Sequence, residues 1–161
     1  MRITHILKLR EAAQFTDVFL KVVDPLRSAR RIGPILFQLP PTFKCDTALL
    51  RDYLAMLPKD LRFAFEFRHA TWLCDGVYQA LTDYGAALCV AESENLETPE
   101  VMTAHFAYFR LRKPEYTAAD VARIAENAKA LLTQRDLYVF FKHEDTPDGA
   151  LNAEMLLKAM A

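Results

Sequence analysis

The run Phe63-Ala64-Phe65-Glu66-Phe67-Arg68-His69 leaves its segment little conformational choice. Its strict alternation puts Phe63, Phe65 and Phe67 on one face of a strand and Ala64, Glu66 and Arg68 on the other. On the second face the polar groups gather towards the C-terminal end. That arrangement suits a parallel strand with one face under helices and the other lining a polar cavity.

Four more apolar runs repeat the theme. Residues 35–39 close on Pro40-Pro41, and residues 86–91 lead into Glu92-Ser93-Glu94. Residues 106–112 carry Arg110 and Arg112, and residues 137–141 pass into Lys142-His143-Glu144-Asp145. Between these runs the apolar residues recur at helical spacing. After an opening loop, the pattern predicts a helix from about Phe15 that Pro25 interrupts and Gly33-Pro34 stops. Asp46 is placed to cap a second helix through Leu49, Leu50, Tyr53, Leu54 and Leu57, and residues 72–84 predict a third, with Gly85 behind it. Thr117 and Asp120 have capping-box spacing ahead of a fourth, and a last helix starts near Asp148. No hairpin dipeptide joins the strands, so the pattern predicts a parallel sheet with helical crossovers.

Composition narrows the function. A chain of 161 residues, 52% hydrophobic and 25% charged, is an ordinary globular sequence of one domain. Its net charge of -1 gives no general attraction to nucleic acid or anionic membrane, so anion binding would need a local cluster. No run reaches the length of a membrane span, and the first residues lack a signal-peptide core. Cys45, Cys74 and Cys89 are odd in number and share no ligand spacing, which reads as reduced, mostly buried thiols in a cytoplasm. With 4 glycines and no GxGxxG or P-loop pattern, no glycine-built phosphate loop is present.

The chemistry therefore collects at the strand ends, where parallel α/β folds bind their ligands. Glu66 and Arg68, two apart on one face, read either as a buried ion pair or as a substrate clamp. In the clamp, Arg68 binds an anion and Glu66 moves protons or binds hydroxyls. Two apart on one face, they predict a contact between Arg68 and an acid, Glu66 or Glu92. Gln38, Glu92, Arg110, Lys142 and His143 are candidate substrate-binding groups. Arg110, Arg112, Arg68 and Lys142 could ring an acidic ligand; alternatively Arg112 and Lys113 are solvated loop charges. His143, Glu144 and Asp145 with His5 and Glu92 have the right types for a metal site but no known ligand spacing, and no metal is assigned. The residues leave any cofactor unknown. Trp72 reads as packing more readily than as a stacking platform.

Gly33-Pro34-Ile35-Leu36-Phe37-Gln38-Leu39-Pro40-Pro41, then Phe65-Glu66-Phe67-Arg68-His69 with Trp72, then Tyr108-Phe109-Arg110-Leu111 and Tyr138-Val139-Phe140-Phe141, resemble the YecE-like family, domain of unknown function 72. Ile3-Thr4-His5 resembles a family motif after its third strand, which adds His5 to the candidate binding residues. The resemblance spans essentially the whole chain. It implies a TIM barrel of eight strands, of which this chain supplies the last five; the family's glycine-tryptophan motif and Glu-x-Asn strand have no counterpart. Relatives place Asp where this chain has Glu92, His-Gly where it has Arg112-Lys113, and Asn-Asn where it has Lys142-His143.

The expected architecture is thus an α/β, incomplete (β/α) TIM-type barrel in one partial domain over residues 1–161, its N-terminal strands missing. An upstream segment or a second chain would supply them. Left open, the lumen face (Leu36, Ala64, Leu88, Tyr108 and Phe140) would be wet. The functional expectation is a hydrolase acting on a phosphate- or carboxylate-bearing substrate. The alternatives are a non-catalytic module for anionic ligands and a remnant without independent activity.

Overall fold

Alternating strands and helices follow one another through the computed structural model, which describes residues 9–92, 96–113, 115–141 and 147–161. Helix α1 (Leu9–Ser28) precedes β1 (Ile35–Gln38), α2 (Thr47–Met56) and β2 (Phe63–Glu66). A 3-10 turn (Ala70–Trp72), α3 (Asp75–Tyr84), β3 (Ala87–Ala91) and β4 (Phe106–Leu111) come next. The chain then forms α4 (Ala118–Leu132), β5 (Asp136–Phe141) and α5 (Asp148–Met160). The strands form one five-stranded sheet in sequence order, and every neighbouring pair is parallel.

Local chemistry sets most of the boundaries. Asp46 caps α2 by accepting the Leu49 N–H at 2.9 Å. Thr117 and Asp120 form the full capping box at the start of α4. Gly85 ends α3 in the left-handed region at φ 68°, where a side chain would cost about 1 kcal/mol in backbone strain alone. At α1 the outcome differs from the sequence expectation: the helix begins at Leu9 and runs through Pro25. The ring removes one backbone bond near the helix end, but the last turn recovers others, from Ala29 N–H to the Pro25 carbonyl at 3.1 Å and from Arg31 N–H to the Leu26 carbonyl at 2.8 Å. Strand β2 is also shorter than the alternation suggests. It leaves the ladder after Glu66, and the His69 side chain caps the 3-10 turn by accepting the Thr71 N–H.

The alternation sorts the two faces of the sheet. Ile35, Phe37, Phe63, Phe65, Phe67 and Leu88 pack under α2 and α3, with Trp72 fully buried against Phe67 at a ring separation of 4.8 Å. Val90, Phe109 and Leu111 pack with Val121, Ala125 and Leu156 under α4 and α5. The opposite, concave face holds Ala64, Ala87, Cys89 and Ala91 together with Phe106 and Tyr108. Two corrections follow. Leu88 belongs to the helix-covered face, since the larger members of β3 are the ones that fill the space under α3. The concave face is not wet at its centre, because Ala64 is 0% and Tyr108 7% exposed. Small residues on β2 and β3 meet large aromatic ones on β4, so that face packs on itself. Exposure begins at the margin, where Phe140 of β5 is 46% exposed.

Helix α1 is tied to α2 by a buried hydroxyl pair, Thr16 Oγ1 and the Tyr53 hydroxyl at 2.6 Å. Burial pushes the Tyr53 phenol up to about 12, against the opposing effect of the Thr16 hydrogen bond. The folded state therefore holds this proton above pH 10, where the unfolded chain releases it. The corresponding stability is complete below pH 10 and falls as pH rises towards 12, by on the order of 2 kcal/mol. Denaturant unfolding at pH 9 and pH 11.5 should show that loss, and Tyr53→Phe should lose less. An equal loss in the variant would remove Tyr53 as the cause.

Candidate functional site

Strand β2 delivers one carboxylate to the concave face at the C-terminal end of the sheet. Glu66 is 1% exposed and accepts three hydrogen bonds. Gln38 Nε2 on β1 and Arg112 Nη2 just beyond β4 donate to Oε1, at 2.7 and 2.9 Å. Arg110 Nη1 on β4 donates to Oε2. The strand registers explain the convergence. Gln38 lies opposite Glu66 in the β1–β2 ladder, and Arg110 lies opposite Ala91 in the β3–β4 ladder. Because β3 presents only Ala87, Cys89 and Ala91 to this face, the guanidinium groups of β4 reach across it to β2.

Electrostatics mark the same cluster. Burial lowers the Arg112 pKa, Glu66 opposes that effect, and Arg110 and Arg68 reinforce it. One carboxylate thus holds two guanidinium groups, and the Arg68 guanidinium lies near one of them. Below them, burial and the nearby Glu66 hold the Cys89 thiol well above its ordinary value, with Arg110 and Arg112 working the other way. Tyr108 is pushed up to about 12, by burial first and then by Cys89. The Arg112 Nε–H is buried and has no hydrogen-bond partner among the described residues.

The sequence-predicted residues meet different fates. Gln38, Glu66 and Arg110 come together. Arg68 makes no ion pair or hydrogen bond among the described residues; it stands exposed beyond the end of β2, near enough to Arg112 to act on it. The expected contact between Arg68 and an acid is therefore not made, because Arg110 and Arg112 occupy Glu66. Glu92 lies apart from Glu66: it accepts the Tyr116 hydroxyl and stands 3.9 Å from Lys113 Nζ. His5, Lys142 and His143 lie outside the described residues, as do Ser93, Glu144 and Asp145. Of the residues considered for a metal, only Glu92 is described, and no group of three His, Cys, Asp or Glu side chains gathers among the described residues. Arg112 is the member that sequence reasoning left between two readings; its two-residue spacing from Arg110 was the available signal. Tyr116 carried no signal at all.

Arg112 also borders a second space. The described part of the β3–β4 connection contains no helix, and a cavity of about 730 Å³ opens there against α4. Val90, Phe109, Leu111 and Ile124 line it together with Arg112 and Asn127.

The sequence pattern of a family described as "Protein of unknown function DUF72" matches residues 1–161. No curated protein matches the chain. Among solved structures, a DUF72 family protein from Thermotoga maritima MSB8 superposes with a TM-score of 0.82 at 22% identity, covering 98% of this chain and 71% of that one. A DUF72 family protein from Enterococcus faecalis V583 gives 0.80 at 18% identity, covering 92% and 66%. At these identities the likeness is one of fold. No helix among the described residues is long and apolar enough to cross a membrane.

The Glu66 cluster yields a stability prediction. Glu66→Ala strips Arg110, 8% exposed, of its counter-charge, whereas Arg112 has a route to solvent. The expected cost is about 3–5 kcal/mol in denaturant unfolding, with part of it recovered in the double variant Glu66→Ala/Arg110→Met. A loss below about 1 kcal/mol for Glu66→Ala would show that the ion pair is not needed for folding.

Proposed function

We propose that this chain, which belongs to the DUF72 family, holds a small anionic ligand at the C-terminal ends of β2 and β4, with Arg112 and Arg68 as the recognition groups. The observation that carries this reading is the Arg112 Nε–H, buried without an acceptor among the described residues and beside a carboxylate that is already filled. Arg68 adds a second donor fork that engages no described residue. A phosphate or carboxylate oxygen is the acceptor that this geometry lacks. Glu66 has its oxygens committed to Gln38, Arg110 and Arg112, which suits an anchor for the guanidinium groups better than a carboxylate that must exchange protons. The chain is therefore read as a binder of anions ahead of a hydrolase.

Calorimetric titration with phosphate, sulfate and small carboxylates tests the reading. Arg112→Met and Arg68→Ala should each weaken binding by about 1.5–3 kcal/mol, roughly ten- to a hundredfold. Binding that survives the two changes together would refute the assignment.

We further infer that the five strands are part of an eight-stranded (β/α) barrel whose other strands pair with β1 and β5, supplied by an upstream segment or a second chain. Exposed apolar side chains on the flanking elements support this: Phe15, Val18, Val22 and Leu26 on α1, Phe140 on β5, and Leu151 and Leu157 on α5. Light scattering of the isolated chain should show association, or its thermal melt should be broad. A monomer that melts cooperatively at an ordinary mesophilic temperature would count against the inference.

A further inference from the structure

The loops that follow β1 and β2 run side by side. Trp72 Nε1 donates to the Phe43 carbonyl at 2.7 Å, and the Cys45 N–H donates to Thr71 Oγ1 at 2.9 Å. Further along, a side chain placed on Gly76 would begin 3.9 Å from Thr47. These rungs bracket two cysteines on the facing stretches. Cys45 immediately precedes Asp46, the cap of α2, and Cys74 is the N-cap residue of α3.

Cys45 is half-buried and Cys74 exposed, and both are free thiols. Cys45 Sγ lies 3.5 Å from Thr47 Oγ1. Burial holds the Cys45 thiol above its ordinary value, and the Cys74 thiol adds to the rise both as a charge and as a hydrogen-bond neighbour. The rungs between the loops set the two cysteines on facing segments. The Cys74 side chain makes no cap bond to α3. Cys89 stands apart, fully buried on the concave face of the sheet.

We propose that Cys45 and Cys74 are a thiol pair that closes to an intramolecular disulfide when it meets a low-molecular-weight disulfide such as glutathione disulfide. The exposed Cys74 reacts first. Its thiolate attacks one sulfur of the oxidant, the sulfur–sulfur bond breaks, and one glutathione leaves as a thiol. Cys45, as thiolate, then attacks the Cys74 sulfur of the mixed disulfide and expels the second glutathione. Two protein thiols are oxidised by two electrons and one glutathione disulfide is reduced to two thiols. The bond requires Cα atoms within about 4.4–6.8 Å of each other, a spacing that formation of the cross-link would demonstrate. Once formed, it joins the loops that leave the ends of β1 and β2, the strands that carry Gln38 and Glu66.

The test is to incubate the full chain with oxidised glutathione, quench by alkylation in denaturant so that the buried Cys89 also reacts, and map the peptides by mass spectrometry. The expected result is a fall from three alkylatable thiols to one, Cys89, with a Cys45–Cys74 cross-linked peptide pair that dithiothreitol releases. Cys45→Ser should trap glutathione on Cys74, and Cys89→Ser should leave the cross-link intact. Retention of all three thiols, a stable glutathione adduct on Cys74 with Cys45 free, or Cys74 bridging two chains would each overturn the proposal. The mapping needs only the unsubstituted chain, so a variant that failed to fold would leave it decisive.

Discussion

The buried carboxylate of Glu66 is the point on which the concave face depends. Three strands meet there through side chains: β1 through Gln38, β2 through Glu66 itself, and β4 through Arg110 with Arg112 just beyond it. Strand β3 takes part by being small. Alanine at 87 and 91 and cysteine at 89 leave the gap through which the guanidinium groups pass. Placing a large side chain on that face of β3 would block the reach of β4 to β2.

Such a cluster adds less net stability than its charges suggest, because each ion gives up most of its hydration on burial. What it supplies is register. Side chains on a strand alternate with period two, so a slip of one residue in β2 would turn Glu66 into the phenylalanine layer under α2 and α3. The apolar sequence of β3 resists such slips only weakly, since both of its faces are hydrophobic. The charge cluster makes one alignment far better than its neighbours, while Phe37, Phe63 and Phe65 stack on the other face at ring separations of 5.2 to 5.8 Å.

The readability of the sequence follows the range of the interactions. Asp46, Thr117 with Asp120, and Gly85 act within a turn of their own position, so a local pattern contains all the information they need. The order of strands and helices is legible for the same reason. Arg68 and Arg112 show the limit. Both have the spacing to reach Glu66, and which one does so is decided by how far β4 extends relative to β2 and by where β2 leaves the ladder. Leu88 shows another limit: in a strand that is apolar throughout, only the size of each residue distinguishes the faces. Pro25 shows a third, because the last turn of a helix can close through carbonyls that the ring does not touch.

The described part of the connection between β3 and β4, which contains no helix, changes how the interior can be reached. In a sheet fully roofed by crossover helices, a molecule bound at the strand ends has one exit, over the rim of the strands. Here Arg112 has one flank on the Glu66 cluster and the other on the cavity beside α4. A ligand whose charged head engaged that guanidinium could lay an apolar tail along Val90, Phe109 and Ile124 on the outer side of the sheet. Traffic through this side door would require no described helix to move, and the size of the tail would be limited by a loop rather than by the rim of the sheet.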